Sequence, residues 1–205
     1  MAITIENDSR QESFERLFSV LLGLNPDIPT SELVKLKELF TPRHFTKGSL
    51  FCQSGTIPTQ LGFVTAGLFR YYYIDLHGVE VTKHFCPENS FAASYSALLS
   101  GMESDLNIEA LEDSSLLVCD YSQWGRLLES DVCWQIVARR VIERIFVLIE
   151  RRERGLLLED AHTRYINFLR QYPQLQQRLK QYHIASYLGI SPVSLSRIHA
   201  KQHFS

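Results

Sequence analysis

The sequence predicts an α+β fold in three parts: N-terminal helices leading into a double-stranded β-helix, or jelly-roll, barrel; one long helix; and a small C-terminal helical module. Three observations predict it. Between Thr41 and about Asp120, short runs rich in aromatic and β-branched residues alternate with glycines at 48, 55, 62, 67 and 78, the texture of a small antiparallel barrel or jelly roll. From Cys133 to Leu158 there is no proline and no glycine but Gly155, and apolar residues recur at helical spacing. Residues 161–205 carry Arg164, Arg170, Arg178, Lys180, Arg197 and Lys201 and not one Asp or Glu. The expected boundaries are 1–132, 133–158 and 159–205.

The 205 residues are 45% hydrophobic and 21% charged, with a net charge of -2. That apolar share can bury a core and excludes a disordered chain, a collagen or a disulfide-stapled miniprotein. No run of eighteen apolar residues exists, and Met1 to Arg10 carry Glu6 and Asp8 in place of a basic start and an apolar stretch. A cytoplasmic protein with no membrane partner is expected. Cys52, Cys86, Cys119 and Cys133 lie too far apart in sequence for a CxxC pair or a zinc cluster, so buried reduced thiols are expected, with no metal and no cofactor.

In chain order, Phe14, Leu17, Phe18, Leu21 and Leu22 share one helical face over residues 10–24, which Gly23 and Pro26 end. Ser31 to Leu39 reads as a second helix, with Thr30 or Ser31 as N-cap and Pro42 beyond its end. The runs LGFVTAG and LFRYYYIDLHG then supply strands. On the long helix Trp134, Val137, Val141 and Leu148 form a stripe, widened by Ile142, Ile145, Phe146 and Ile149. One neighbour cannot cover so wide a stripe, so it is expected to pack on the barrel and on a second copy of itself. Arg144 and Arg151 interrupt the seam, and an ordinary core helix within one subunit is the alternative. A further amphipathic helix runs from His162 to Tyr172, ending before Pro173.

The most informative segment is QYHIASYLGISPVSLSRIHA, residues 181–200. Two helices crossing tightly need a small residue at their contact, a residue tolerant of positive φ in the turn and apolar residues that lock the pair. Ala185, Gly189 and the set Ile184, Leu188, Ile190, Leu195 and Ile198 fill those places. Ser191 suits an N-cap and Pro192 the first helical position. The second helix should bury Leu195 and Ile198 and expose Val193, Ser194, Ser196, Arg197, Ala200 and Lys201. A recognition helix offers such residues to base edges, where arginine on guanine is the commonest specific contact. Arg197 is the expected base reader, Val193 a candidate for a thymine methyl, and Ser194 or Ser196 for a base or phosphate. Lys201, Lys180, Arg178 and the histidines at 162, 183, 199 and 203 suit phosphates. A helical hairpin that only packs against protein is the alternative.

The order of parts and these motifs resemble the cyclic-AMP receptor protein and fumarate-nitrate regulator (CRP/FNR) family of bacterial transcription factors. Gly48, Gly55, LGFVTAG, Arg70 and Gly78 resemble its cyclic nucleotide-binding fold, residues 133–158 its dimerisation helix, and IASYLGISPVSLSRI its helix-turn-helix. The resemblance implies a homodimer that binds a palindromic promoter site on double-stranded DNA and recruits or blocks RNA polymerase. Arg197 falls where the family places a guanine-reading arginine, and Gly155 is a candidate hinge between the long helix and the reading module.

The resemblance also marks departures. Family members that bind cyclic AMP share a Gly-Glu pair followed by an Arg-Ser or Arg-Thr pair, because a ribose needs a carboxylate acceptor and a cyclic phosphate a guanidinium. Here Ala93 and Ser94, then Ser104 and Asp105, stand at those places, and no arginine lies between Arg70 and Arg126. Cyclic AMP is therefore not expected to bind in the usual way. An unidentified effector could sit near Phe85, Phe91, Ala93, Ser94, Tyr95, Leu98, Ser104 and Asp105. The first cysteine, Cys52, comes too late for the family's iron-sulfur cluster, and only seven residues follow Ile198, too few for a complete β-hairpin wing. Pro192 and Val193 replace base-reading residues of relatives, so no operator sequence carries over.

Two other classes compete. One is a small-molecule sensor or protein-interaction module whose helices do not read DNA. The other is a cupin-type enzyme, which His77 and His84, seven residues apart with no His-x-His pair, argue against, as does the lack of G-x-S-x-G. The chain is expected not to be an enzyme; a haem role for His77 or His84 is outweighed by satisfied structural histidines.

Overall fold

Strand breaks follow the glycines, several of which take the left-handed backbone that other residues avoid: Gly48, Gly55, Gly67 and Gly78 all have φ between 78° and 90°. The computed structural model describes residues 2–202 and the side chains of residues 10–200. Eight strands are formed: β1 (Thr41–Phe45), β2 (Leu50–Cys52), β3 (Gln60–Ala66), β4 (Phe69–Ile74), β5 (Glu80–Cys86), β6 (Phe91–Ala92), β7 (Asn107–Ala110) and β8 (Ser114–Asp120). They make two four-stranded sheets, ordered β1-β8-β3-β6 and β2-β7-β4-β5. The expected jelly-roll architecture is thus a β-sandwich and not a closed barrel. With three residues in β2 and two in β6, the ladders are too short to carry hydrogen bonds around a closed circumference.

The central strands β3 and β8 pair antiparallel, Gly62 opposite Val118 and Phe63 opposite Leu117. Both are buried on both faces, which explains why LGFVTAG and SLLVC read as continuous apolar runs. One face of β3 and β8 presents Leu61, Phe63, Leu117 and Cys119 to a helical layer. That layer comprises α1 (Ala2–Leu24), α2 (Thr30–Leu39), α4 (Tyr121–Ser130) and the start of α5 (Val132–Leu158). Phe14, Leu17, Leu21, Leu36, Trp124, Trp134 and Val137 fill the space between. On the other face Gly62 lets Leu116 and Phe51 come close; a Cβ there would sit 3.1 and 3.3 Å from them.

Two short helices lie outside the sequence expectation: α3 (Tyr95–Ser100) and α4, both within or just after the strand-rich stretch. The N-cap of α2 is Pro29, whose carbonyl accepts from Glu32 and Leu33, so neither Thr30 nor Ser31 caps it. The expected short helix 10–24 is the end of α1, which begins at Ala2. No helix among the described residues is long and apolar enough to cross a membrane. All four cysteines are free and buried.

Trp134 is fully buried, and its Nε1 donates to Glu32 Oε2 at 3.0 Å while Lys35 Nζ donates to Glu32 Oε1 at 2.6 Å. These two donors, Lys35 first, hold the Glu32 carboxyl below the usual glutamate range. A carboxyl with a lowered folded-state pKa adds stability above its unfolded pKa and loses it as pH falls through the lowered value. Urea titrations should therefore show the wild-type protein losing stability on acidification below about pH 5 more steeply than Glu32→Gln. Parallel curves would deny Glu32 that role.

The chain divides into two compact units, Met1–Tyr71 with Phe85–Glu143 and Tyr72–His84 with Arg144–Ser205. The hairpin tip between β4 and β5 therefore groups with the C-terminal helices, and α5 contributes to both units. In the second unit α6 (Ala161–Gln171), α7 (Gln181–Leu188) and α8 (Pro192–Gln202) surround Tyr165, Phe168, Leu175, Ile184, Leu188 and Leu195. Asp160 caps α6 by accepting from Thr163 N–H at 2.7 Å. Arg164 ties the end of α5 to α7, donating to the carbonyls of Glu159 and Leu188 at 2.6 and 3.0 Å.

Candidate functional site

The turn between α7 and α8 is built from the residues that local chemistry requires. Gly189 has φ 66° and ψ 36°, and the N–H of Ile190 donates to Ala185 while that of Gly189 donates to Ser186. This pair of bonds is a Schellman close, which needs a left-handed residue after the helix. Ser191 Oγ then accepts from Ser194 N–H at 3.1 Å, capping α8, and Pro192 follows at the first helical position. Leu195 is fully buried and fixes α8 against its neighbours.

Pro192, Val193, Ser196, Arg197 and Ala200 are exposed, with Val193 at 61%. Ser194 is half-buried and shares a 2.9 Å hydrogen bond with Ser191, so its hydroxyl is engaged in the cap. Ile198 is half-buried rather than fully so. Lys180 is exposed, 5.5 Å from the Tyr182 ring centroid, and Arg178 is half-buried. Of the histidines, His162 is exposed, but His183 is buried and the His199 ring packs on Tyr165 at 4.9 Å. Neither of the last two stands free for a phosphate, because α7 and α8 turn those positions inward. The side chain of Lys201, like His203, lies outside the described residues.

α5 runs unbroken through Gly155, where Glu159 N–H donates to the Gly155 carbonyl, so the candidate hinge carries no kink in this conformation. Beyond Val141, Ile142, Ile145, Phe146, Val147, Leu148 and Ile149 are each 42–59% exposed. Trp134 and Val137 of the same stripe are buried in the first unit.

Among the candidate effector residues, Ser94 and Ser104 meet: their hydroxyls are 2.8 Å apart and both are buried. Ser104 Oγ also donates to the Leu106 carbonyl at 2.8 Å. Phe85 is buried, and Phe91 packs edge-on to Phe63 at 5.3 Å. Tyr95 lies against Tyr121, whereas Asp105 points to solvent apart from the serine pair. Tyr71 belongs with this group although its sequence context does not single it out. Its hydroxyl accepts from Ala93 N–H at 2.8 Å, and burial raises its pKa well above the ordinary tyrosine value. Arg70, only 3% exposed, is ion-paired to Glu109 at 2.8 Å. A shallow depression nearby is lined by Pro58, Thr59, Leu98, Asp120, Tyr121 and Ser122, sharing only Leu98 with the expected set. Among the described residues no group of His, Cys, Asp and Glu could hold a metal ion. His77 sits exposed at the hairpin turn. His84 is half-buried, its pKa pushed down to about 3 by burial and by Lys83 and Arg152.

The profile of the cyclic nucleotide-binding domain matches residues 42–131. The fold is similar to that of FixK2 from Bradyrhizobium japonicum, at 19% identity over 81% of this chain and 85% of that one, with a TM-score of 0.66. It is also similar to a CRP/FNR-family transcriptional regulator from Eubacterium rectale, at 17% identity over 84% and 82%, with a TM-score of 0.66. The catabolite activator protein of Thermus thermophilus follows at 22% identity over 88% and 86%, with a TM-score of 0.55. No curated protein sequence matches the chain. Residues 42–131 thus match the cyclic nucleotide-binding domain, and the chain shares its fold with CRP/FNR-type transcription regulators.

Proposed function

We propose that the chain is a homodimeric, sequence-specific DNA-binding transcription regulator of CRP/FNR type, without catalytic activity of its own. The observation that carries this reading is the α7–α8 pair. A capped and buried scaffold displays Val193, Ser196 and Arg197 on one exposed face, within a quarter of the sequence free of acidic residues. In this reading residues 1–132 form the effector-type domain, 133–158 the dimerisation helix and 159–205 the reading domain. Two copies joined along α5 would place two α8 helices for half-sites one helical turn of DNA apart, about 34 Å. Arg197 reads a base, Val193 and Ser196 flank it, Ser191, Pro192 and Ser194 set the helix end against the backbone, and Lys180, Arg178 and Lys201 meet phosphates. RNA polymerase is the partner that such a dimer recruits or blocks.

Selection of bound duplexes from a random library, followed by salt titration, tests the reading. A two-fold symmetric consensus with affinity falling steeply as salt rises is expected. On that consensus Arg197→Ala should lose about 1–3 kcal/mol at one base pair of each half-site and relax discrimination there. Equal weakening on every sequence would make Arg197 a phosphate contact. No enrichment at all would favour a sensor or protein-interaction module.

The effector-type domain is read as not holding cyclic AMP in the usual manner, and the serine pair supports this. Ser94 and Ser104 are neutral and bonded to each other where a ribose acceptor and a phosphate partner would be needed. Calorimetric titration of the purified protein with cyclic AMP should give no saturable heat; micromolar binding would overturn the reading.

A further inference from the structure

β5 is an edge strand of its sheet, so its outward-facing backbone groups need partners other than a strand. At Thr82, which is 0% exposed, the helices of the second unit supply them. Ser186, midway along α7, accepts from Thr82 N–H at 2.9 Å and donates its hydroxyl to the Glu80 carbonyl at 3.1 Å. Arg152 on α5 donates Nη2 to the Thr82 carbonyl and Nη1 to the Tyr187 carbonyl, each at 2.9 Å. Its guanidinium carbon lies 4.4 Å from the centroid of the Tyr187 ring. One planar group therefore holds carbonyls of a strand and of a helix that are far apart in sequence.

We propose that this junction is a clasp that couples the position of the β4–β5 hairpin to the orientation of the helix-turn-helix, with Arg152 as its positioning residue. The proposal rests on the reading of α7 and α8 as the DNA-reading pair. A hydrogen bond at 2.9 Å is lost when its partners separate by less than 1 Å, so β5 cannot slide past α7 unless α7 follows or the clasp opens. β5 continues without interruption from Thr82 to Phe85 and Cys86, and Cys86 Sγ lies 3.5 Å from the Phe91 carbonyl. The fixed turn at Gly189 holds α8 to α7 in turn, so the clasp and the helix pair belong to one compact unit. The guanidinium suits this task because its donors are held in one plane at fixed angles, which a lysine ammonium cannot reproduce.

Hydrogen exchange on the full chain without DNA tests the clasp. In Arg152→Gln, and in the milder Ser186→Ala, exchange should accelerate at least tenfold in both 80–84 and 181–188, with 107–110 and 161–171 at wild-type rates. Arg152→Lys should behave like Arg152→Gln. Acceleration in only one of the two segments, or in neither, overturns the clasp. On the duplex selected by the wild-type protein, Ser186→Ala should change affinity at least fivefold, and unchanged affinity despite lost protection overturns the coupling. A wild-type protein that selects no duplex would defeat the DNA reading alone, since the exchange result judges the clasp without DNA.

Discussion

If α5 forms the proposed dimer seam, Phe146→Asp combined with Ile149→Asp should leave the protein monomeric in sedimentation equilibrium where the wild type is dimeric, and weaken binding to the selected duplex by at least about a hundredfold. Both residues are half-exposed on α5, among six consecutive or near-consecutive apolar side chains between Ile142 and Ile149 that the described residues leave uncovered. Covering each against a second helix is worth on the order of 1 kcal/mol, and a carboxylate in that seam would have to be desolvated without a partner. Circular dichroism should be unchanged, because neither side chain packs in the core of its own subunit. A variant that stays dimeric would return α5 to the alternative of an ordinary helix within one subunit.

Gly67→Ala, in the turn between β3 and β4, should be strongly destabilising. Gly67 has φ +90°, and a Cβ built there would lie 2.1 Å from Ser114 Oγ and 2.7 Å from Ser114 Cα. The hydroxyl it would displace donates to the Glu112 carbonyl and accepts from Leu68 N–H. The Gly67 N–H itself donates to Glu88 Oε1 at 2.9 Å. Backbone strain, a clash with main chain and two lost hydrogen bonds together should cost about 4 kcal/mol, read as a lower urea midpoint. Gly78→Ala, also at positive φ but with nothing within 4 Å of its Cβ position, should cost about 1 kcal/mol. Equal losses at the two sites would show that conformational strain alone decides both.

The helix-turn-helix is legible in the sequence because its constraints are local. The cap at Ser191, the left-handed Gly189 and the buried Leu195 lie within seven residues, and each is the residue type that the geometry requires. The strand-rich stretch is legible for the same reason, since glycine turns recur about every ten residues, whereas its division into two separate sheets instead of a closed barrel depends on strand lengths that the residues do not declare. α3 and α4 are not, because six and ten residues beside a buried strand look like the apolar texture of the strands themselves. His183 and His199 mislead in the other direction: basic composition suggests phosphate contacts, but helical phase turns both inward. The serine pair could be anticipated only as two departures from a motif, since residues ten apart declare nothing about their contact. Arg152 and Ser186 lie still further beyond reach, for their partners at Thr82 and Glu80 are 70 and 106 positions away.

The second unit is therefore not a continuous stretch of chain, and this governs the order of its assembly. A ribosome releases residues 72–84 long before 144–205 exist, so the hairpin tip must wait, with the outward groups of Thr82 served only by water. The C-terminal helices cannot finish packing until that tip is in place. Expressing residues 144–205 alone would remove the acceptor of one Arg152 bond and both strand partners of Ser186. Such a fragment should melt less cooperatively than the same helices in the full chain, and chaperone dependence or early proteolysis would first be felt at 80–84.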